Sequence, residues 1–495
     1  MATAQISKNE LKFVIIGAGM AGILSAIKLK EAGFHNIEIF EKEGEVGGTW
    51  RENRYPGVAC DVPSHLYCYS FEQKPDWSHV FSEGSEIFNY FKNVAIKYGV
   101  YDSIKFKLEV TKLELKDGLW NVTTSDGKNT TANYVIAATG VLHHPKYPDI
   151  EGIDLFKGDI FHSARWPEGY SLKNKKVGVV GTGSTAVQIV AASIEDVDQM
   201  YLFQRTAQWV LGVPNDVIDE QTREKLKNSP DELQKMRDEI SRTFTAYFAD
   251  AVVNAESKEA NMLQESCLFN LEFNVPDPVL REKLRPNYKA ACKRLIVSPN
   301  FYQAISRTNA HLITDHIVRI TESGIEIDTG ETIGLDTIVL ATGFKVDAFL
   351  RPMTVVGEDS LKLDDVWNPR PYAYMSIMVP KFPNLFLLNG PNGPVGNFSL
   401  IDVAEIQVDY CLQLIERAIE DGDQLVEPKT EATQDFEARR VEATKKTVWV
   451  TGCNSWYLDD RGIPSVWPWT MEKFRDDMKQ PILDDFIFEK VPSNA

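Results

Sequence analysis

The sequence predicts an α/β protein built from two doubly wound domains, because one sequence pattern occurs in it twice. Each occurrence has an apolar stretch, a glycine-rich turn, a segment compatible with a helix and a second apolar stretch. In the first, Gly17 opens GAGMAG after FVII at 13–16, and in the second, Gly181 opens GTGSTA after VGVV at 177–180. A strand–turn–helix–strand unit of this kind begins a Rossmann-like domain. We therefore predict two such domains.

The residue that ends the second apolar stretch differs in charge between the two occurrences. Glu41 stands twenty-four positions after Gly17, and Arg205 stands twenty-four positions after Gly181. The glycines let a pyrophosphate approach the helix N-terminus, which attracts anions. A carboxylate at this position accepts hydrogen bonds from ribose hydroxyls, whereas an arginine suits a 2′-phosphate. We therefore predict one site for an adenine dinucleotide without that phosphate and a second site for NADP.

A second recurrence supports the two-domain interpretation. NYVIAATG ends at Gly140 and DTIVLATG ends at Gly343, so each is an apolar strand closed by Ala-Thr-Gly. We expect these strands to close the two dinucleotide domains, where the chain crosses between them. Two unrelated buried strands are the alternative.

The segment from 216 to 290 is charged, favours helices and has few strand signals. We interpret it as a helical subdomain inserted into the second dinucleotide-binding domain. A disordered acidic linker is the alternative. We disfavour it because five side chains in this segment require burial, namely Phe244, Tyr247, Phe248, Leu268 and Phe273.

The predicted domains follow from these recurrences. A doubly wound domain that is interrupted by another usually regains its own C-terminal part, so residues 347–495 should rejoin residues 1–145. The second dinucleotide domain then comprises 146–215 and 288–346, and the helical insert comprises 216–287. Residues 347–495 also supply a C-terminal region on the substrate side.

Composition limits the classes of partner. The 495 residues carry a formal net charge of −18, which argues against nonspecific binding to nucleic acid or to anionic membranes. No apolar stretch reaches the length that spans a bilayer, and no cleavable leader precedes the first strand. We therefore expect a cytoplasmic protein with no nucleic-acid or membrane partner, and no obligate protein partner is evident.

The six cysteines show neither a CxxC motif nor a metal-ligand spacing, so we expect buried, reduced thiols. The pair His143-His144 has no carboxylate or cysteine at a supporting spacing. We interpret it as a solvated loop rather than as a metal site, and no metal is expected elsewhere.

Two longer motifs narrow the class of chemistry. The segment before the second glycine-rich loop fits F-x-G-x-x-x-H-x-x-x-W-P, with Phe156, Gly158, His162, Trp166 and Pro167. The stretch GGTWRENRYPGVACD provides Gly47, Gly48, Trp50, Tyr55, Pro56, Gly57 and Asp61. Both resemble the motifs of type I Baeyer–Villiger monooxygenases, flavoproteins that insert one oxygen atom from O₂ beside a ketone carbonyl. The resemblance covers nearly the whole chain, including a late NGPNGPVGN loop at 389–397.

The sequence departs from the usual pattern at one glycine. Ala186 replaces the third glycine of the second loop, where the residue governs helix–strand packing and alanine is tolerated. The related flavin-containing monooxygenases, which oxidise nitrogen and sulfur, usually lack the Trp166-Pro167 ending and the long stretch ending at Asp61. Both features favour the Baeyer–Villiger family.

The resemblance implies FAD in the first site and NADPH in the second. The ADP half of FAD is expected at Gly17, Gly19, Gly22 and Glu41, and the family resemblance adds Thr49, Trp50, Arg51, Asp61 and Tyr67, with Val110 near the adenine. The NADPH phosphates are expected at Thr182, Gly183, Ser184, Thr185, Ala186 and Gln188, and the 2′-phosphate at Arg205 and Thr206.

The segment ACKRLIV supplies the residues implied for catalysis. The resemblance places Lys293 at the 2′-phosphate and Arg294 over the flavin, with Asp61 as the counter-charge of Arg294. Without the resemblance, a solvated basic pair is the favoured interpretation. The implied reaction converts ketones to esters or lactones through a flavin C4a-peroxide, with sulfoxidation as a second activity. His162 and Trp166 are implied to be linker residues that couple domain movement to the cycle, not acids or bases.

Other interpretations stay open at this point. A heteroatom monooxygenase would use the same cofactors, and a disulfide reductase would need a redox pair from Cys60 and Cys68. A nucleotide-sensing protein without turnover is a third possibility. In the C-terminal region Trp456, Tyr457 and Trp467 either line a substrate cavity or pack in the core.

Overall fold

A computed structural model describes residues 7–396 and 398–490. Asn397, the last residue of the predicted loop at 389–397, lies outside the described residues, as do the ends of the predicted first domain at 1–6 and 491–495.

The strands of the described residues are, in chain order, β1 (Phe13–Ile16), β2 (Ile37–Glu41), β3 (Ile104–Phe106), β4 (Val110–Lys116), β5 (Leu119–Thr124), β6 (Asn129–Ala132), β7 (Tyr134–Ala137), β8 (Asp159–His162), β9 (Lys176–Val180), β10 (Gln199–Phe203), β11 (Val210–Leu211), β12 (Ile296–Val297), β13 (Ala310–Ile313), β14 (Ile317–Thr321), β15 (Gly324–Ile327), β16 (Thr332–Gly334), β17 (Thr337–Leu340), β18 (Thr354–Val356), β19 (Leu385–Leu387), β20 (Leu425–Pro428) and β21 (Phe486–Glu489). The α-helices are α1 (Met20–Glu31), α2 (Thr49–Glu52), α3 (Gly84–Lys97), α4 (Ser184–Ser193), α5 (Glu220–Asn228), α6 (Pro230–Phe244), α7 (Lys258–Asn274), α8 (Pro278–Lys283), α9 (Phe301–Ile305), α10 (Leu363–Val366), α11 (Leu400–Glu420), α12 (Thr430–Thr444) and α13 (Met471–Asp477).

The first sheet has the order β19-β7-β1-β2-β3, and all its pairings are parallel. Its central strands β1 and β7 are buried along their whole length, which explains their unbroken apolar sequences. Strand β19 joins this sheet from the C-terminal part of the chain, and α11 packs against α1. Residues on both sides of the second domain therefore build one sheet, while the boundaries given above remain a prediction.

The second sheet has the order β13-β10-β9-β17-β8 and is also entirely parallel. In each sheet the strand that ends in Ala-Thr-Gly lies beside the strand that precedes the glycine-rich loop: β7 pairs with β1, and β17 pairs with β9. The two Ala-Thr-Gly strands are therefore equivalent. The predicted α/β architecture with two Rossmann-like sheets is confirmed.

Helices α5 to α8 form the insert between β11 and β12, so the disordered-linker alternative is wrong. The expectation of burial holds only in part. Phe244, Phe248 and Leu268 are half-buried, but Tyr247 is 56% exposed and Phe273 is 74% exposed. Phe273 lies on the solvent side of α7, where its ring stacks on that of Phe269 with centroids 5.6 Å apart.

Smaller sheets surround the two large ones. Strands β4, β5, β6 and β18 form a four-stranded sheet against the first large sheet, and β14, β15 and β16 form a meander against the second. Among the residues that the structure describes, no helix is both long enough and apolar enough to cross a membrane.

The expectation of reduced cysteines is wrong for one pair. Cys292 and Cys453 form a disulfide, whereas Cys60, Cys68, Cys267 and Cys411 are free and buried, as expected. The bonded pair is 161 residues apart in sequence, and the fold brings the two Cα atoms within 6.1 Å. Local spacing carries no information about a partner at that separation.

Candidate active site

One cavity of about 1650 Å³ lies at the carboxyl ends of the strands of both large sheets. Both glycine-rich loops line it, and so do Asp61, Lys293 and Arg294. Ligands of open α/β sheets bind outside these strand ends. The volume exceeds the roughly 300–1,000 Å³ of an ordinary small-molecule pocket, which is consistent with room for more than one ligand.

The first loop turns between β1 and α1 in a way that requires glycine. Gly17 has φ +100°, and a Cβ there would lie 2.7 Å from the carbonyl oxygen of Ala138. A Cβ on Gly22 would overlap the carbonyl oxygen of Gly17, and Gly19 packs against Gly48. The backbone of the loop therefore packs closely against the Ala-Thr-Gly strand, and its other side faces the cavity.

Glu41 ends β2 directly behind this loop. Its carboxylate is 7% exposed and accepts hydrogen bonds from the backbone N–H groups of Ala18 at 2.7 Å and Glu43 at 2.9 Å. Burial raises the pKa of Glu41, although these two donors act in the opposite direction. The carboxylate is thus held at the edge of the cavity.

The segment after the first loop supplies further predicted residues. Thr49, Trp50, Tyr67 and Val110 all line the cavity, and the Trp50 indole N–H donates to the Tyr67 hydroxyl at 3.2 Å. Arg51, which is also predicted to contact FAD, does not line the cavity. Its guanidinium pairs with Glu43 at 3.2 Å and Glu52 at 3.5 Å.

The second loop repeats the backbone arrangement of the first. Gly181 has φ +118°, and a Cβ there would overlap the carbonyl oxygen of Ala341, which corresponds to Ala138 in the first sheet. Thr182 donates from its hydroxyl to the carbonyl oxygen of Thr206 at 2.9 Å. Ala186 is fully buried below the loop, and the remaining predicted loop residues line the cavity, namely Thr182, Gly183, Ser184, Thr185, Gln188 and Thr206.

Gln188 also joins the two domains. It accepts a hydrogen bond from the Tyr55 hydroxyl at 2.9 Å and donates to the carbonyl oxygen of Ala59 at 3.0 Å. A Cβ on Gly57 would lie 2.7 Å from the Gln188 carbonyl oxygen. The Tyr55-Pro56-Gly57 part of the second motif therefore docks the first domain onto helix α4.

Two cations lie on the second-loop side of the cavity. Arg205 and Lys293 both line it, and the Lys293 ammonium lies 5.0 Å from the centre of the Tyr288 ring. Burial and then the charge of Arg205 lower the pKa of Lys293. Neither cation forms an ion pair with a carboxylate in the described part of the chain. The site therefore has uncompensated positive charge, which suits a phosphate dianion.

Arg294 lies in the same wall and is bound to Asp61. Its Nε and Nη2 donate to Oδ2 of Asp61 at 3.1 and 2.6 Å, and its Nη1 donates to the carbonyl oxygen of Gly396 at 2.7 Å. Burial disfavours the charged form, but the charge of Asp61 outweighs this effect and raises the pKa of Arg294. The side chain keeps 29% of its surface exposed. A solvated basic pair is therefore excluded for Arg294.

The first motif lies outside the cavity wall. His162 is fully buried; its Nε2 donates to the carbonyl oxygen of Gly343 at 3.0 Å, and its Nδ1 accepts from the N–H of Ala164 at 3.1 Å. Trp166 donates to the carbonyl oxygen of Tyr170 at 3.2 Å. Phe156 and Gly158 pack near the start of β17, and Pro167 is exposed. The motif thus fixes the linker to the end of an Ala-Thr-Gly strand.

The expectation of a solvated His143-His144 loop is wrong. The His143 Nε2 donates to the carbonyl oxygen of Phe349 at 3.2 Å, and the His144 Nε2 donates to that of Arg351 at 2.9 Å. Burial, with the neighbouring His144, lowers the pKa of His143 to about 3. The segment that carries both histidines packs against residues 349–351. No pattern in the sequence indicates this contact. In the described residues, no three His, Cys, Asp or Glu side chains form a group able to hold a metal.

Sequence reasoning missed Arg237 in the helical insert. This arginine is 6% exposed, and it donates to the carbonyl oxygens of His65 at 3.3 Å and Cys68 at 3.0 Å and to Oδ1 of Asp402 at 2.9 Å. It supports the segment that carries Tyr67. Because Arg237 lies in a helix rich in charged residues, the sequence gives no sign that this one is buried.

The C-terminal aromatic residues divide between the two expected roles. Trp456 is 40% exposed and lines the cavity, whereas Tyr457 is buried behind the wall and Trp467 is fully buried in the core. Cys60 and Cys68 are both free and buried, and burial raises the pKa of each thiol. Cys60 lines the cavity and Cys68 does not, so the two thiols do not face it together, as the disulfide-reductase alternative requires.

Comparisons of the sequence and of the fold with known proteins identify the family. Residues 14–266 match the family described as pyridine nucleotide-disulphide oxidoreductase. An uncharacterized monooxygenase of Mycobacterium tuberculosis is 42% identical over 93% of this chain and 92% of its own length. A Baeyer–Villiger monooxygenase of Streptomyces coelicolor is 34% identical over 98% of this chain and 94% of its own. The crystal structure of OTEMO in complex with FAD and NADP superposes with a TM-score of 0.86 at 27% identity, covering 97% of this chain and all of that one. The chain belongs to the Baeyer–Villiger monooxygenase family.

Proposed function

We propose that this protein is an FAD- and NADPH-dependent monooxygenase that converts ketones to esters or lactones. One observation carries the proposal: Arg294, paired with Asp61, lies in the wall of a single cavity that both glycine-rich loops line. A cation close to two dinucleotide sites is positioned to stabilise negative charge that develops on oxygen during the reaction.

The residues of the first site fit FAD. Gly17 and Gly22 keep the loop flat against the sheet, so that a pyrophosphate has access to the start of α1. Glu41 has a carboxylate at the end of β2 for the ribose hydroxyls. Thr49, Trp50, Asp61, Tyr67 and Val110 line the same cavity as Arg294. Arg51 supports this wall through Glu43 and Glu52 and is not proposed as a direct contact.

The residues of the second site fit NADPH. The loop from Thr182 to Thr185 faces the cavity at the start of α4, and Gln188 follows it. Arg205 and Lys293 supply positive charge for the 2′-phosphate, which NADH lacks. Thr206 is held beside Arg205 by the hydroxyl of Thr182.

When bound, the reduced flavin supplies O₂ activation, so that one oxygen atom reaches a carbonyl carbon. Arg294 stays charged at any working pH, because Asp61 and its intrinsic basicity both hold the proton. Its N–H groups are donors for the oxyanion of the tetrahedral adduct at the substrate carbon. Asp61 fixes the direction of the guanidinium and offsets the cost of burying it. Removing one such donor typically raises the barrier by about 3–4 kcal/mol.

The remaining assignments belong to the same proposal. The first domain comprises 1–145 and 347–495, and the second comprises 146–215 and 288–346 with the helical insert at 216–287. His162 and Trp166 then hold the linker between the domains. The co-substrate is O₂, the enzyme needs no obligate protein partner, and its location is the cytoplasm.

A ketone panel tests the function. The purified protein is supplied with FAD, NADPH and cyclic, linear and aromatic ketones, and NADPH oxidation is followed together with the product mass. The proposal predicts ester or lactone products that are heavier than the ketone by one oxygen atom, labelled when ¹⁸O₂ is used. Sulfoxide formation without any ester across the panel would instead identify a heteroatom monooxygenase.

A further inference from the structure

The Arg294 guanidinium has a third neighbour besides Asp61 and Gly396. The Tyr457 hydroxyl lies against Gly396, whose carbonyl binds the guanidinium, and Tyr457 is itself only 3% exposed. Asp61 comes from the first domain, Gly396 from the loop that precedes α11, and Tyr457 from the C-terminal region. Three distant segments therefore meet on one cation.

Gly396 has the conformation that admits the tyrosine. It has φ +100°, and a Cβ at this position would overlap the Tyr457 hydroxyl and ring. The same glycine accepts from Arg294 Nη1 at 2.7 Å. The hydroxyl thus occupies the space that the missing side chain leaves, directly beside the carbonyl that orients Nη1.

A disulfide bond joins the segment that carries Arg294 to the segment that carries Tyr457. Cys292 precedes Arg294 by two positions, and Cys453 precedes Tyr457 by four, and these cysteines form the disulfide. The Trp449 ring packs against the Tyr457 ring with centroids 5.7 Å apart. The tyrosine therefore has little freedom to leave the guanidinium.

We propose that Tyr457 is a positioning residue, whose hydroxyl holds the Arg294 guanidinium in the direction that faces the reacting carbonyl. This inference rests on the proposed function of Arg294. Tyr457 lies behind the cavity wall, so it does not touch the ketone; it acts by restricting the rotation of Arg294 about its last bonds. Asp61 binds Nε and Nη2, and Nη1 is placed by the carbonyl of Gly396, the residue against which the Tyr457 hydroxyl packs.

The role predicts which kinetic constants change. Losing the hydroxyl that packs beside the charged group should lower kcat for ester formation by roughly tenfold or more. The KM for NADPH should stay within about twofold, because Lys293 and Arg205 bind the phosphate without Tyr457. A larger share of the NADPH consumed should yield hydrogen peroxide instead of ester.

The test compares Tyr457→Phe with Tyr134→Phe. Both tyrosines are buried, but Tyr134 lies at the start of β7, stacked between Phe13 and Phe386. For each variant we would measure kcat, the KM for NADPH and the ester-to-peroxide ratio, and solve the crystal structure of the cofactor-free protein. The expected result is a reoriented guanidinium, with Nη1 no longer on the Gly396 carbonyl, and a lower kcat in Y457F alone.

Two results would overturn the proposal. One is a guanidinium that stays in place in Y457F, whatever the rate. The other is a displaced guanidinium with the kcat of the unmodified protein. If the unmodified protein makes no ester from any ketone, the proposed function fails, and the crystal structures alone then decide whether Tyr457 positions Arg294.

Discussion

The two glycine-rich loops differ in charge while sharing a backbone. Gly17 and Gly181 have φ +100° and +118°, and each presses against the alanine carbonyl of an Ala-Thr-Gly strand. Behind the first loop lies the buried carboxylate of Glu41, whereas two cations without a carboxylate partner in the described residues, Arg205 and Lys293, flank the second. We infer from the comparison that the backbone provides a general dinucleotide site and that the charges beside each loop select the nucleotide.

The largest effects are expected from breaking each loop in turn with Gly17→Ala or Gly181→Ala. The new Cβ would meet a strand carbonyl in a backbone conformation that L residues avoid, so we expect at least about 100-fold weaker binding of one cofactor. G17A should lose FAD, measured by flavin absorbance after gel filtration. G181A should keep FAD and lose NADP⁺ affinity, measured by calorimetry.

Gly127→Ala is the control for backbone strain alone. Gly127 has φ +79° in the turn between β5 and β6, and a Cβ there would meet no neighbouring atom of the described residues within 4 Å. This variant should keep both cofactors. The account of two independent loops fails if G17A and G181A weaken both cofactors equally.

The next effect concerns the covalent link between the second domain and the C-terminal region. Cys453→Ala should lower the free energy of unfolding by about 2–4 kcal/mol, because the closed loop spans 161 residues. Urea unfolding with and without reductant checks this. The unmodified protein and Cys411→Ala should both lose stability in reductant, whereas C453A should be insensitive to it. Reductant-insensitive unfolding of the unmodified protein would contradict the link.

Nucleotide selection should respond to Arg205→Gln. Removing one of the two cations at the predicted 2′-phosphate position should reduce the preference for NADPH over NADH by about 10- to 100-fold. The ratio of kcat/KM values for the two nucleotides measures the change. FAD content serves as the internal control and should not change, since Arg205 lies on the side of the second loop. An unchanged ratio would show that residues other than Arg205 determine the preference for NADPH over NADH.

The smallest effect is expected from Glu41→Gln, and it depends on pH. Burial raises the pKa of Glu41, so the cofactor-free protein gains stability from its protonated form below the usual pKa and loses it as the pH rises through the raised pKa. FAD requires the ionised acceptor, so FAD affinity should rise over the same interval. E41Q should lose about tenfold in FAD affinity at neutral pH and show neither trend. Parallel pH curves for E41Q and the unmodified protein would disprove the role of the charge.

The sequence predicted those parts of the molecule that depend on local patterns. Gly17, Gly181 and the strands around them are readable because a loop, its strand and its helix are contiguous in the chain. Glu41 and Arg205 are readable because the spacing to their loops is the same. Asp61 and Arg294 could be paired only through the family resemblance, since 233 positions separate them.

Other features depend on contacts that only the folded chain creates. Cys292 and Cys453 meet across 161 positions, and Arg237 reaches the carbonyl of Cys68 from a helix whose other charges are mostly solvated. Phe273 shows the converse, because this large apolar residue of α7 is exposed to solvent. Sequence patterns indicate which residues tend to be buried, but the packing of distant segments decides which of them are.

The central claim is that Arg294 stabilises the oxyanion formed at the substrate carbonyl. The most direct measurement is ester formation by Arg294→Ala, reconstituted with FAD and saturated with NADPH, beside the unmodified enzyme and Arg294→Lys. The account predicts that R294A retains both cofactors and reduces the flavin but forms ester at least about 100-fold more slowly, with R294K between the two. Ester formed by R294A at the rate of the unmodified enzyme would contradict it.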